Sequence, residues 1–131
     1  MKTIGLLGVH HVAIICSDYE HSKHFYTEIL KLPIIHEQYR KERDSYKLDL
    51  ALPDGSQIEL FSFVNAPTRP SYPEAQGLRH LAFKVANITE AKQYLEQQGV
   101  DVEDIRVDEI TGKQFTFFAD PDDLPLELYQ L

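Results

Sequence analysis

Residues 9 to 16, VHHVAIIC, lead from two histidines into an apolar run that stops at Ser17-Asp18, and residues 79 to 86, RHLAFKVA, alternate until Asn87. Both stretches read as strands ending at a polar cap, and a helix is expected after each. Asn87 with Glu90 three residues later has the form of a capping box, and Ile88, Ala91, Tyr94, Leu95 and Gln98 form a stripe that Gly99 ends. Ser22, Phe25, Tyr26 and Ile29 form the matching stripe of the first half, up to Pro33. Three strands are then predicted after each helix, at about 34 to 39, 45 to 52 and 57 to 63, and at about 101 to 107, 113 to 119 and 125 to 130, with Pro-Asp turns before the last.

The same unit is therefore written twice. His11-Val12-Ala13-Ile14 returns 69 residues on as His80-Leu81-Ala82-Phe83, and ALPDGSQIELF (51 to 61) returns 68 residues on as ADPDDLPLELY. Between the copies, NAPTRPSYPEAQG (65 to 77) holds three of the seven prolines and has no periodicity, as a linker would. The expected organisation is one domain over 1–131, with module one at 6–64, the linker at 65–77 and module two at 78–131. A module of roughly 60 residues buries too little surface to be stable alone, so the two are expected to share an interior.

Strand parity decides which side chains meet. His11 shares a face with Ala13 and Ile15, and His80 shares one with Ala82 and Lys84. Glu59 stands between Ile58 and Leu60, which suit packing under a helix, so Glu59, Phe61 and Phe63 fall on the face of His11; Glu127 and Tyr129 repeat the arrangement. A carboxylate among apolar neighbours is costly to desolvate without a cation or strong donors. A single histidine beside an apolar run is ordinarily satisfied by backbone, but a duplicated His…Glu pair, at separations of 48 and 47 residues, is not the product of accidents. Two imidazoles and two carboxylates suit a borderline divalent metal and leave positions for water or substrate. The candidate ligands are His11, Glu59, His80 and Glu127.

Composition narrows the partners. The chain has 131 residues, 43% hydrophobic and 26% charged, with a formal net charge of −8 and a single cysteine. No basic cluster exceeds Arg40-Lys41-Glu42-Arg43, which argues against nucleic acid and anionic membrane and leaves small molecules or proteins. The apolar runs are too short to span a bilayer, and the N-terminus lacks a small-residue cleavage site, so a cytoplasmic protein without a signal peptide is expected. Cys16, inside VAIIC, reads as a buried small hydrophobe in a reducing compartment.

HHVAIICSDYEHSKHFYTEIL with IELF, and GLRHLAFKVANI with FFADPDDLPLELY, resemble the vicinal oxygen chelate superfamily, the group of glyoxalase I, bleomycin-resistance proteins and extradiol dioxygenases. The resemblance covers nearly the whole chain and implies an α+β fold of two tandem βαβββ modules, a cupped mixed sheet around a metal site, and often a homodimer. It implies the ligand set His11, Glu59, His80 and Glu127 around one divalent transition metal per chain (Ni, Zn, Co, Mn or Fe), and Glu127, or Glu59 from the pseudo-symmetric side, as catalytic base. The full ligand set is similar to that of glyoxalase I, and implies a metal-dependent lyase or isomerase that stabilises the enediolate of a small α-hydroxy or α-keto carbonyl compound. Ile15 stands where glyoxalase I has a glutathione-binding arginine, and Phe61-Ser62-Phe63 where it has an asparagine, so glutathione dependence is not carried over; the chain looks closer to small bacterial glyoxalase-like metalloproteins. Lys84, Arg43 and Lys113 are candidates to bind an anionic substrate, and Phe61, Phe63, Phe115 and Phe117 to wall its pocket. The alternatives are an Fe(II)-dependent dioxygenase and a binding protein of the resistance type without turnover.

Overall fold

In the computed structural model, which describes residues 3–131, the repeat in the sequence is a repeat of sheets. The chain divides into two units, one ending at Ala66 and the other running Pro67–Leu131. The first contains β1 (His11–Cys16), α1 (Tyr19–His24), β2 (Ile34–Arg40), β3 (Ser45–Ala51) and β4 (Gln57–Ser62). The second contains β5 (Leu81–Val85), α2 (Ile88–Gln97), β6 (Arg106–Val107), β7 (Gln114–Ala119) and β8 (Pro125–Gln130). Their sheets have the strand orders β1-β4-β3-β2 and β5-β8-β7-β6. In each, the first strand lies parallel to the last and the remaining pairs are antiparallel. The fold is thus a tandem of β-α-β-β-β units, each with one mixed four-stranded sheet.

One face of each sheet is apolar and buried. In the first unit Ile14, Cys16, Leu48, Leu50, Ile58 and Leu60 are buried, as are Tyr19, Phe25 and Tyr26 from the helical segment. In the second, Phe118, Leu126 and Leu128 are buried together with Ile88 and Leu95 of α2. Each such side chain contributes about 1.5–3 kcal/mol on leaving water. The period-2 alternation that buries these residues sends Glu59 and Glu127 to the opposite face.

The helix starts follow their caps: Asp18 accepts from the His21 amide at 3.1 Å, and Asn87 accepts from the Glu90 amide at 3.1 Å. Two elements depart from the sequence expectation. The first helix is α-helical only to His24 and then widens into a π-helical turn over Phe25–Ile29, where the Leu30 amide bonds the Phe25 carbonyl at 2.9 Å. The wider turn buries the adjacent Phe25 and Tyr26 together, while the Thr27 hydroxyl donates to the Lys23 carbonyl at 2.6 Å. The strand expected over 101 to 107 shrinks to Arg106–Val107. Lys92 Nζ donates to the carbonyls of Val102 and Glu103, and Thr116 Oγ1 also donates to Glu103, so side chains satisfy a backbone that a ladder would otherwise pair. Among the described residues no helix is long and apolar enough to cross a membrane.

Candidate metal centre

The parallel pairing of β1 with β4 sets Ala13 directly beside Glu59, and that of β5 with β8 sets Ala82 beside Glu127. In both units the histidine lies two residues before the alanine, on the same face. The small methyl leaves room for the carboxylate to lean toward the imidazole. His11 Nδ1 stands 3.3 Å from Glu59 Oε2, and His80 Nε2 stands 3.1 Å from Glu127 Oε1.

These separations suit metal ligands. Two donors each about 2.1 Å from one cation stand about 3.0 Å apart at a right angle and about 3.4 Å apart at a tetrahedral angle. Both His–Glu pairs fall in that interval, and neutral imidazole nitrogen with carboxylate oxygen is a donor set that divalent transition metals accept. The carboxylates are largely enclosed, with side chains 13% exposed at Glu59 and 12% at Glu127, whereas His11 and His80 are 40% and 33% exposed. Each pair thus presents its imidazole outward and keeps its charge sheltered. Each unit supplies two candidate ligands; among the described residues no group of three or more His, Cys, Asp or Glu side chains stands close enough to hold an ion.

The two glutamates differ in their surroundings. Antiparallel pairing brings Asp49 of β3 beside Glu59, and Lys47 Nζ lies 2.7 Å from Asp49 Oδ1 and 3.8 Å from Glu59 Oε1. Glu127 instead has Phe117 of β7 beside it, and the edge of that ring meets the His80 imidazole at 5.1 Å between centroids and 88°. His80 is the one ion-pair partner of Glu127 among the described residues. His80 Nδ1 is buried and lacks a partner there, so the Glu127 contact and the Phe117 edge hold the ring. His10 precedes β1, and its Nδ1 stands 3.0 Å from His11 Nδ1.

The expected substrate contacts scatter over these faces. Phe61 and Phe63 stack at 5.8 Å in the first unit, and Arg43 lies over Phe63 at 5.0 Å. Phe115 and Phe117 meet edge-on at 6.2 Å in the second unit. Lys84 is exposed and paired in register with Tyr129, on the face of Glu127. Lys113 is exposed just before β7, its amide donating to Thr111 Oγ1 at 3.2 Å. Tyr129 is occupied elsewhere, donating to Asp108 Oδ2 at 3.0 Å and hydrogen-bonded to Thr111. Hydrogen bonds from the Ile110 amide first, and then from Tyr129, hold the Asp108 carboxyl below its ordinary range. Three cations near these sites are not among the expected substrate contacts: Lys47; Arg40, over Phe61 at 5.1 Å; and Arg106, over Phe115 at 5.0 Å. Strand parity places Lys47 on a sheet face, but only the β3–β4 register puts it beside Glu59.

Comparison with known proteins agrees with this fold. Residues 8–128 match the family model of the Glyoxalase/Bleomycin resistance protein/Dioxygenase superfamily. The chain is 58% identical over 125 residues to the uncharacterized protein YwkD of Bacillus subtilis, covering 95% of this chain and 98% of that one. It is 30% identical over 148 residues to a 2-epi-5-epi-valiolone epimerase of an Actinomyces species, covering 97% of this chain and 81% of the relative. Among solved structures, the glyoxalase family protein from Enterococcus faecalis superposes with a TM-score of 0.87 at 50% identity, covering 94% of this chain and 97% of that one.

Proposed function

Because the chain belongs to the Glyoxalase/Bleomycin resistance protein/Dioxygenase superfamily, we propose that its two His–Glu pairs together hold one divalent transition metal per chain and that it is a metal-dependent lyase or isomerase of small α-hydroxy or α-keto carbonyl compounds. The observation that carries this reading is the repeated pair: an imidazole nitrogen 3.3 Å or 3.1 Å from a mostly enclosed carboxylate oxygen, built twice on matching strand positions. His11, Glu59, His80 and Glu127 are the ligands. A divalent metal bound there, whether Ni, Zn, Co, Mn or Fe, supplies Lewis acidity to two adjacent substrate oxygens.

One carboxylate would leave the ligand set to serve as base, and Glu127 fills that role: it takes the proton from the hydroxyl-bearing carbon next to the carbonyl and returns it to the former carbonyl carbon, while the hydroxyl proton passes to the other oxygen. Its freedom supports this role, since Glu59 has Lys47 near one oxygen and Glu127 has no second ionic partner among the described residues. Phe117, paired in register with Glu127, packs against His80 and so orients the imidazole. Likeness to a protein named as an epimerase adds support, because proton removal can invert a carbon–hydrogen centre. We place Lys84 and Lys113 at the rim as substrate contacts. We further propose a cytoplasmic homodimer: a single cysteine suits a reducing compartment, and Ile4, Leu6 and Leu7 expose 88%, 82% and 102% of their surface, as residues awaiting a second copy would.

Exchange of carbon-bound hydrogen tests the chemistry. Incubated in D₂O with hydroxyacetone and dihydroxyacetone, the metal-loaded protein is expected to catalyse deuterium incorporation beside the carbonyl, and Glu127→Gln to slow it by about a hundredfold or more. Wild-type and Glu127→Gln proteins exchanging at one rate would overturn the assignment of the base.

A further inference from the structure

We infer that Arg40, with Arg43, forms an oxyanion subsite beside the Glu59 pair, so that the substrate carries a carboxylate or phosphoryl group apart from its two chelating oxygens. The inference rests on the proposed chelation for its meaning as substrate recognition, but its residues are separate from the metal ligands. Arg40 ends β2, and its guanidinium lies over Phe61 at 5.1 Å and Phe63 at 5.7 Å. Arg43 lies over the same Phe63 ring at 5.0 Å. Asp44, in the left-handed conformation at φ 45°, closes the short turn over Lys41–Arg43 that carries it.

Three features distinguish this cluster from a solvated basic patch. First, the chain has 21 acidic and 13 basic residues, yet among the described residues no carboxylate approaches either guanidinium within ion-pair distance. Lys47, over Phe61 at 5.9 Å, is by contrast paired with Asp49. Second, the bonding of Arg40 is incomplete. Nη2 donates to Ser45 Oγ at 3.0 Å, whereas Nε is buried and has no partner. An unmet buried donor is destabilising, and an oxyanion is the group that a guanidinium accepts best. Stacking on the two rings uses the guanidinium face, and Nη1, which is not buried and has no hydrogen-bond partner among the described residues, is the donor an oxyanion would meet first. Third, Phe61 follows Glu59 by two residues on the same face of β4, which sets the subsite about 7 Å along the strand. That spacing suits a short substrate whose anionic end is a few bonds from the chelated oxygens.

The test uses the full chain freed of metal, so that anions cannot bind through an ion, with inorganic phosphate and malonate as probes. Each is titrated at constant ionic strength while the arginine Nε–H resonances are followed by NMR. The Arg40 resonance, identified by its loss in Arg40→Lys, is expected to shift saturably with at least one probe, the stronger one marking a phosphoryl or carboxylate ligand. Arg40→Gln and the exposed Arg43→Gln are each expected to weaken binding about tenfold, and Lys31→Gln, at an exposed position after the first helix, to leave it unchanged. Absence of saturation up to roughly 100 mM, or equal affinities in wild type and both arginine variants, would overturn the subsite. Metal content measured in parallel keeps the two readings apart: phosphate binding without metal binding would refute chelation alone, and metal binding without an arginine-dependent anion site would refute this inference alone.

Discussion

Glu59 and Glu127 hold equivalent strand positions but not equivalent environments, and the difference is measurable. Lys47 Nζ, 3.8 Å from Glu59 Oε1, places a positive charge where a divalent ion would be coordinated. Lys47→Met is therefore expected to tighten metal binding by about tenfold, read by competition with a chromophoric chelator, through loss of repulsion across a partly hydrated gap; weaker binding would show that Lys47 instead positions Glu59. The repeat and strand parity single out His11, Glu59, His80 and Glu127 in the sequence, and the structure sets each histidine beside its glutamate, because side-chain direction along a strand follows from counting. Lys47 and Asp49 were not legible as neighbours of Glu59, since register between strands depends on the turn between them. Arg40 was hidden similarly: its place over Phe61 depends on the β2–β3–β4 order.

At the scale of elements, α1 is tied to its sheet by a polar contact as well as by its apolar face. Lys23 Nζ lies 2.8 Å from Glu37 Oε2 of β2, and the Tyr19 hydroxyl donates to the same oxygen. Tyr19 also stacks on Tyr46 at 4.3 Å. Burial, and then the Glu37 contact, push the Tyr19 phenol up, so it remains a donor. The hydrogen bonds from Lys23 first and Tyr19 second hold the Glu37 carboxyl below its ordinary value of 4.5. A depressed folded-state value gives stabilisation that is complete above pH 4.5 and disappears as pH falls through the lower folded-state value. Urea denaturation between pH 6 and pH 3 is expected to show a shallower acid loss in Glu37→Gln than in wild type; identical pH profiles would remove this contact from the account. Leu60, fully buried beside Glu59, tests the apolar face: Leu60→Ala is expected to lower stability by about 2–5 kcal/mol. The order and type of the elements were legible from caps and periodicity. The π-helical turn and the shortened β6 were not, because each depends on partners distant in sequence or on two adjacent buried aromatics.

The whole molecule contains two copies of one unit. Each copy brings an imidazole and a carboxylate to the face of a four-stranded sheet, with alanine beside the carboxylate both times. The charge of −8 is compatible with a resident cation and with small substrates attracted to local positive groups rather than to an overall field. If two half-sites serve one ion, damage to either removes it, because a single His–Glu pair is an ordinary weak chelator. Elemental analysis of protein purified without chelator or affinity-tag metal decides the point. The account predicts about one divalent ion per chain in wild type and nearly none in either His11→Ala or His80→Ala. Wild type without a bound ion, or full occupancy surviving in either variant, would contradict it.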